Sequence, residues 1–310
     1  MIPRDISKKI RYIQIYTSKA VNDMLAGEYH SVFKGRGMEF DEVREYRMGD
    51  EIRSIDWNVT ARMGEPYVKR FVEERELTVI FMVDLSASGT FGSAYKLKNE
   101  ISAELCALLA FSAIKNNDKV GLIIFTDQVE MFIPPAKGTT HVLRLIRELL
   151  EFSPGRSGTD IGAGIEYLAR VTNRKAVVFM VSDFIGEGYE QNLRVIGKRH
   201  DVIAVSVTDP RELNMPNVGL VELEDAETGN IVLLDTRSKA VRDNYRNQCR
   251  KRRGRLRELL RSMDIDQVEI ISDQDYLGEL IKFFRTRGRR LRTSRAMSSP
   301  QQLSRRHFQR

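Results

Sequence analysis

The sequence predicts an α/β protein: a doubly wound, mostly parallel sheet with an N-terminal α+β extension. Three observations predict it. The strand-length apolar runs LTVIFMV (77–83), KVGLIIF (119–125), AVVFMVS (176–182) and VIAVSV (202–207) are continuous rather than alternating, which is the mark of strands covered on both faces. Each is separated from the next by a segment of helical spacing, so strands and helices alternate as in βαβ units. Several runs end abruptly in Asp, Ser or Thr, the small oxygen side chains that gather where an open parallel sheet binds its ligands.

In chain order, Ile6, Ile10, Ile13, Val21, Met24 and Leu25 mark an amphipathic helix over 4–26. Residues 35–76 form a small β-rich lead-in that opens on Gly35 and Gly37. Asp50 is expected to cap a short helix over 51–56, and Trp57 to lie in the core. From Leu77 come the first buried strand, a helix over 95–116 and the strand 119–125. An edge strand over 129–133, ended by Pro134 and Pro135, and a helix over 140–152 follow. Thr159 and Asp160 open the next helix, and strand 175–183, a helix over 188–199 and strand 201–209 complete the regular alternation. A hairpin turns near Thr228, Gly229 and Asn230. A long polar helix over 237–262, a last strand over 268–272 and a closing helix end the fold. The divisions are 1–76 for the extension, 77–285 for the α/β domain and 286–310 for a tail.

Composition excludes several classes. The 310 residues carry a formal net charge of +7, but nine of the 50 basic residues fall in 285–310, which holds no acid. The remaining 41 face 43 acids, so the basicity belongs to the tail. That tail is poor in large apolar residues and is expected to be disordered, so that deleting 286–310 would leave the melting temperature nearly unchanged. Nucleic-acid binding through its arginines is an alternative that the rest of the chain does not favour. No apolar stretch reaches membrane-spanning length, and MIPRDISKKI lacks the apolar core of a secretory leader. Two cysteines without a CxxC fit a reducing cytoplasm, and four scattered histidines argue against zinc. There is no GxxxxGK[ST], and GTDIGAGIE has only two glycines of a dinucleotide fingerprint.

The candidate site is a set of oxygens at the expected carboxyl end of the sheet: Asp84, Ser86 and Ser88 in the first loop, Thr159 in the second and Asp183 in the third. Alternate residues of an extended segment point to one side, so DxSxS would place three oxygens around one point. Such hard donors suit Mg²⁺ first, with Mn²⁺ or Ca²⁺ as alternatives. Hydroxyls neutralise an ion poorly and leave positions open for an incoming carboxylate. The competing readings are a helix-capping loop and a phosphoryl-transfer hydrolase with Asp84 as nucleophile. Hydrolases of that kind want a second Asp where Ser86 stands.

The segments VDLSAS, GTDIG and VSDF, in this order, resemble the metal-ion-dependent adhesion site of a von Willebrand factor A domain. Phe184 stands where many such sites carry glycine. The preceding segment, GRGMEFDEVREYRMGDEIRSIDWNVTARMGEPYVKRFVEERE, resembles the signature of the bacterial "domain of unknown function 58" family, and the likeness spans roughly residues 10–285. The resemblance implies a cytoplasmic, non-enzymatic protein. It implies that Asp84, Ser86, Ser88, Thr159 and Asp183 hold a divalent ion and that a partner protein supplies an acidic residue to it. It also implies work beside a MoxR-type AAA+ ATPase.

Overall fold

In a computed structural model, residues 4–21, 25–33, 39–72, 76–90, 92, 96–153, 158–224 and 229–297 are described. The strands are β1 (Glu39–Glu45), β2 (Tyr67–Val72), β3 (Thr78–Asp84), β4 (Lys119–Phe125), β5 (Val129–Ala136), β6 (Val177–Ser182), β7 (Asp201–Thr208), β8 (Leu220–Glu224), β9 (Ile231–Asp235) and β10 (Asp266–Ile271). The α-helices are α1 (Arg4–Ala20), α2 (Ala26–Val32), α3 (Trp57–Met63), α4 (Lys98–Lys115), α5 (Thr139–Glu151), α6 (Ile161–Val171), α7 (Glu190–Arg199), α8 (Pro210–Leu213), α9 (Lys239–Ser262) and α10 (Tyr276–Met297).

The central sheet has six strands in the order β10-β7-β6-β3-β4-β5. All neighbours run parallel except β4 and β5. The chain winds outward from β3 through β4 and β5, then returns to β6 on the other side of β3. The switch point therefore lies between β3 and β6, where the ends of two diverging strands leave a crevice. Buried side chains alternate across β3: Val79, Phe81 and Val83 pack into one core layer with α1, α2, α4, α5 and α10. Ile80 and Met82 pack into the other, beneath α6, α7 and α9. Covering both faces explains why these strands read as continuous apolar runs.

Three expectations about local structure need correction. Pro134 and Pro135 do not end β5 but lie within it. Proline lacks the N–H that a central ladder needs, and an antiparallel edge strand tolerates it; the β4–β5 register shifts between the Val120 and Leu122 pairings, beside these residues. Asp50 caps no helix: it receives both Nη atoms of Arg44, at 2.8 and 2.7 Å, and the amide of Arg47. Asp56 is the cap instead, accepting from the amides of Asn58 and Val59 at the start of α3 and pairing with Lys69 at 3.2 Å. Trp57 is 67% exposed rather than core.

The N-terminal extension has two parts. α1 and α2 belong to the main core, where Tyr29 is buried and donates to Asp118 at 3.1 Å. β1, β2 and α3 form a separate small antiparallel unit folded by its own hydrogen bonds.

The closing helix also runs past Arg285 to Met297. Residues 298–310 lie outside the described residues. Arg287 is 7% exposed, gives Nη2 to both carboxylate oxygens of Asp201 at 2.6 Å, and lies 3.1 Å from Asp266 and over the Phe33 ring. Composition alone misses this, because an arginine-rich segment that borrows partners from distant strands looks like a solvated tail. Deleting 286–310 is therefore expected to lower the melting temperature by several degrees. Arg287→Ala should reproduce a loss of about 1–2 kcal/mol, below the cost of a fully buried pair because Asp201 keeps solvent contact. An unchanged melting temperature in both proteins would show that this end carries no stability. Among the described residues, no helix is long and apolar enough to cross a membrane.

Candidate metal centre

β3 and β6 are adjacent and in register, Val83 opposite Val181, so their carboxyl ends bring Asp84 next to Ser182 and Asp183. Asp84 is 8% exposed. Its Oδ1 accepts from the Ser86 amide at 3.0 Å and its Oδ2 from the Ser182 hydroxyl at 2.7 Å. The Ser86 side chain is wholly buried and also hydrogen-bonds to Asp84. Burial first, and the Asp183 charge second, push the Asp84 carboxyl up to about 6. Two carboxylates thus sit close enough to repel, on a strand end with little solvent to screen them.

The first loop is not extended beyond Leu85. It bends at Ser86 and enters a 3₁₀ turn, Ala87–Thr90, so the alternate-residue argument holds only as far as Ser86. Gly89 leaves room in this turn for the Asn99 side chain, whose Oδ1 would lie 2.0 Å from a Cβ there and would have to move. The Ser88 side chain lies outside the described residues. Thr159 reaches the same end of the sheet one strand further out: the amide of Asp160 donates to the Thr126 carbonyl, just after β4, at 2.8 Å. Asp160, not Thr159, caps α6, accepting from Ala163 at 2.9 Å.

The sequence reading missed three groups. Ser182 holds Asp84 and accepts from the Phe184 amide at 2.9 Å. Phe184 needs a positive φ of 56° to turn the loop there, which is the physical reason that glycine suits this position. Its burial, 4% exposed against Tyr189, offsets the strain. The other two are Lys98 and Glu212. Lys98, the first residue of α4, is 3% exposed; its ammonium lies 3.1 Å from Asp183 and 2.8 Å from Glu212. Burial alone would lower the Lys98 pKa, but the two carboxylates outweigh it and hold the ammonium above its ordinary value. Glu212 is fixed on α8, where its other oxygen accepts from the Asp209 amide at 2.8 Å.

Asp84, Asp183 and Glu212 against Lys98 leave the cluster with two negative charges. A divalent cation matches that charge. Among the described residues no three His, Cys, Asp or Glu side chains gather as a metal cage, so an ion here would take hydroxyls and water beside Asp84 and Asp183. That donor set fits Mg²⁺, which dehydrates reluctantly and keeps several waters. Within the 39–72 segment, Arg44, Asp50, Lys69 and Asp56 are spent by contrast on structural pairs.

Two uncharacterized mycobacterial proteins, one from Mycobacterium tuberculosis and one from Mycobacterium bovis, are each 29% identical to this chain over 287 residues, 92% of this chain and 90% of theirs. The uncharacterized protein YeaD of Bacillus subtilis is 26% identical over 107 residues, 34% of this chain and 25% of its own. Among solved structures, the conserved hypothetical protein BatB of Bacteroides thetaiotaomicron aligns with a TM-score of 0.45 and 18% identity, covering 69% of this chain and 99% of BatB. Residues 42–255 match the family described as Protein of unknown function DUF58, and the chain belongs to that family.

Proposed function

We propose that this protein is a metal-dependent protein-binding module of the von Willebrand factor A type, and not an enzyme. A divalent ion, Mg²⁺ first, is held by Asp84, Asp183, Ser86, Ser88 and Thr159, and a partner protein supplies a carboxylate to it. A MoxR-type AAA+ ATPase is either that partner or acts on the resulting complex, as the family resemblance implies. The observation that carries the reading is the buried pair Asp84 and Asp183 at the switch point, in a cluster that with Glu212 holds two negative charges in excess once Lys98 is counted. The nucleophile reading of Asp84 is less favoured, because Ser86 stands where such hydrolases want a second Asp.

The test mixes the purified chain with a purified MoxR-type ATPase from the same genome and measures the complex by light scattering. A complex is expected with Mg²⁺. It should be lost with chelator and with Asp84→Ala plus Asp183→Ala, and Ser86→Ala should weaken it less. A complex that survives both changes sinks the mechanism. Phosphatase turnover that vanishes with Asp84→Asn would favour the hydrolase instead.

A further inference from the structure

A cleft of about 750 Å³ opens beside Asp183. One wall is the loop from Asp183 to Glu190; the other is α9. Its size falls in the range of ligand sites. On α9, Gln248, Lys251, Arg252, Arg255 and Leu259 recur at i, i+3, i+4, i+7 and i+11, which is one helical face, and all five line the cleft. The adjoining face is already neutralised: Arg253 and Arg257 pair with Glu269 at 2.6 and 2.7 Å. Lys251, Arg252 and Arg255 are exposed, and among the described residues no ion pair engages them. Like charges at i and i+4 destabilise a helix slightly, so the chain bears a small cost to keep three unpaired cations over this opening.

We propose that this cleft binds an acidic, partly apolar peptide segment of a partner protein, with the peptide's carboxylates against Lys251, Arg252 and Arg255. The inference extends the reading given above, because the cleft begins at Asp183: the carboxylate taken by the ion and those taken by α9 belong to one segment. Ile185, Leu213, Leu256 and Leu259 give the cleft an apolar lining, which a peptide's side chains can cover. The opposite wall carries Glu187 and Glu190. These repel a continuous phosphate backbone, and the two aromatic residues of the lining, Phe184 and Tyr189, are buried at 4% and 5% exposure and present no open face for bases to stack on. Both features favour a peptide over nucleic acid.

The test uses fluorescence anisotropy with a labelled twelve-residue peptide of repeating Glu-Glu-Leu, in Mg²⁺, at several salt concentrations. Binding that weakens with salt is expected, and Lys251→Glu with Arg252→Glu and Arg255→Glu should weaken it at least tenfold. Arg250→Glu with Arg261→Glu, exposed elsewhere on α9, should change it less than twofold. Should the triple variant fail to fold, the single changes Arg252→Gln and Arg255→Gln are each expected to weaken binding two- to fivefold. Wild-type affinity in these variants, or no binding by the wild type, overturns the proposal. If Asp84→Ala abolishes binding and the triple variant does not, the cleft falls and the metal reading stands. If the triple variant abolishes it and Asp84→Ala leaves it unchanged, the cleft stands and the metal reading falls. Tighter binding of a twelve-nucleotide oligo-dT with the same arginine dependence would overturn the peptide assignment.

Discussion

Asp84→Asn is expected to stabilise the metal-free protein at pH 7 by about 1–2 kcal/mol while removing Mg²⁺ binding. The carboxyl rests near 6 in the fold, about two units above an ordinary Asp, and each unit is worth about 1.4 kcal/mol. Part of that gain is lost in the amide, because the Ser182 hydroxyl no longer has a carboxylate oxygen to donate to. The sign follows from the direction of the shift. A carboxyl raised in the fold carries its full cost above pH 6, and the cost vanishes as pH falls toward 4. Metal-free wild type should therefore gain stability between pH 7 and pH 5, and the Asn variant should gain less. Asp118, also lifted to about 6 by burial, adds the same trend to both proteins, so the difference isolates Asp84. Mg²⁺ should raise the melting temperature of the wild type alone. Urea unfolding at both pH values, with and without Mg²⁺, checks this; an Asn variant that is less stable than wild type without metal would show that Asp84 is already compensated.

The alternating βαβ order and the placement of Asp84 and Asp183 at strand ends were legible because each is encoded locally. Apolar runs bounded by helical spacing place β3, β4, β6 and β7, and a polar residue closing such a run can only sit at the strand's carboxyl end. What escaped was encoded across distance. Lys98 and Asp183 stand 85 residues apart, and Lys98 and Glu212 stand 114 apart; nothing in the sequence around Lys98 sets it apart from a lysine at an ordinary helix start. Arg287 is the same case, a cation in a basic run whose carboxylates lie on β7 and β10. Trp57 failed for another reason. Large aromatics are usually core, but the small β1–β2 unit has too little interior to cover its own helix, and Trp57 stays exposed together with Met48, Ile52 and Met63. Ser182 was readable in VSDF; the hydrogen bond it gives Asp84 depends on β3 and β6 being neighbours, which chain order alone does not fix.

Lys98→Met is expected to have the largest effect on the metal-free protein, a loss of about 3–4 kcal/mol, and to raise Mg²⁺ affinity at least tenfold. Methionine keeps much of the side chain's length and removes its charge. The Asp183 side chain is 7% exposed and that of Glu212 20%. Without the ammonium both carboxylates stay in a poorly solvated site with no counter-charge, the situation in which breaking a buried pair costs most. The same change removes a positive charge next to the place where a divalent ion would sit, so the repulsion that opposes the ion disappears. The two effects have opposite signs, which separates them from simple misfolding. Calorimetric titration should show tighter Mg²⁺ binding, and saturating Mg²⁺ should raise the variant's melting temperature by more than it raises the wild type's. Glu212→Gln removes a negative charge from the far side of Lys98, so it should weaken Mg²⁺ binding modestly. A Lys98→Met protein that is destabilised but gains nothing from Mg²⁺ would mean that Asp183 exists to hold Lys98 at the start of α4, and that no ion competes for it.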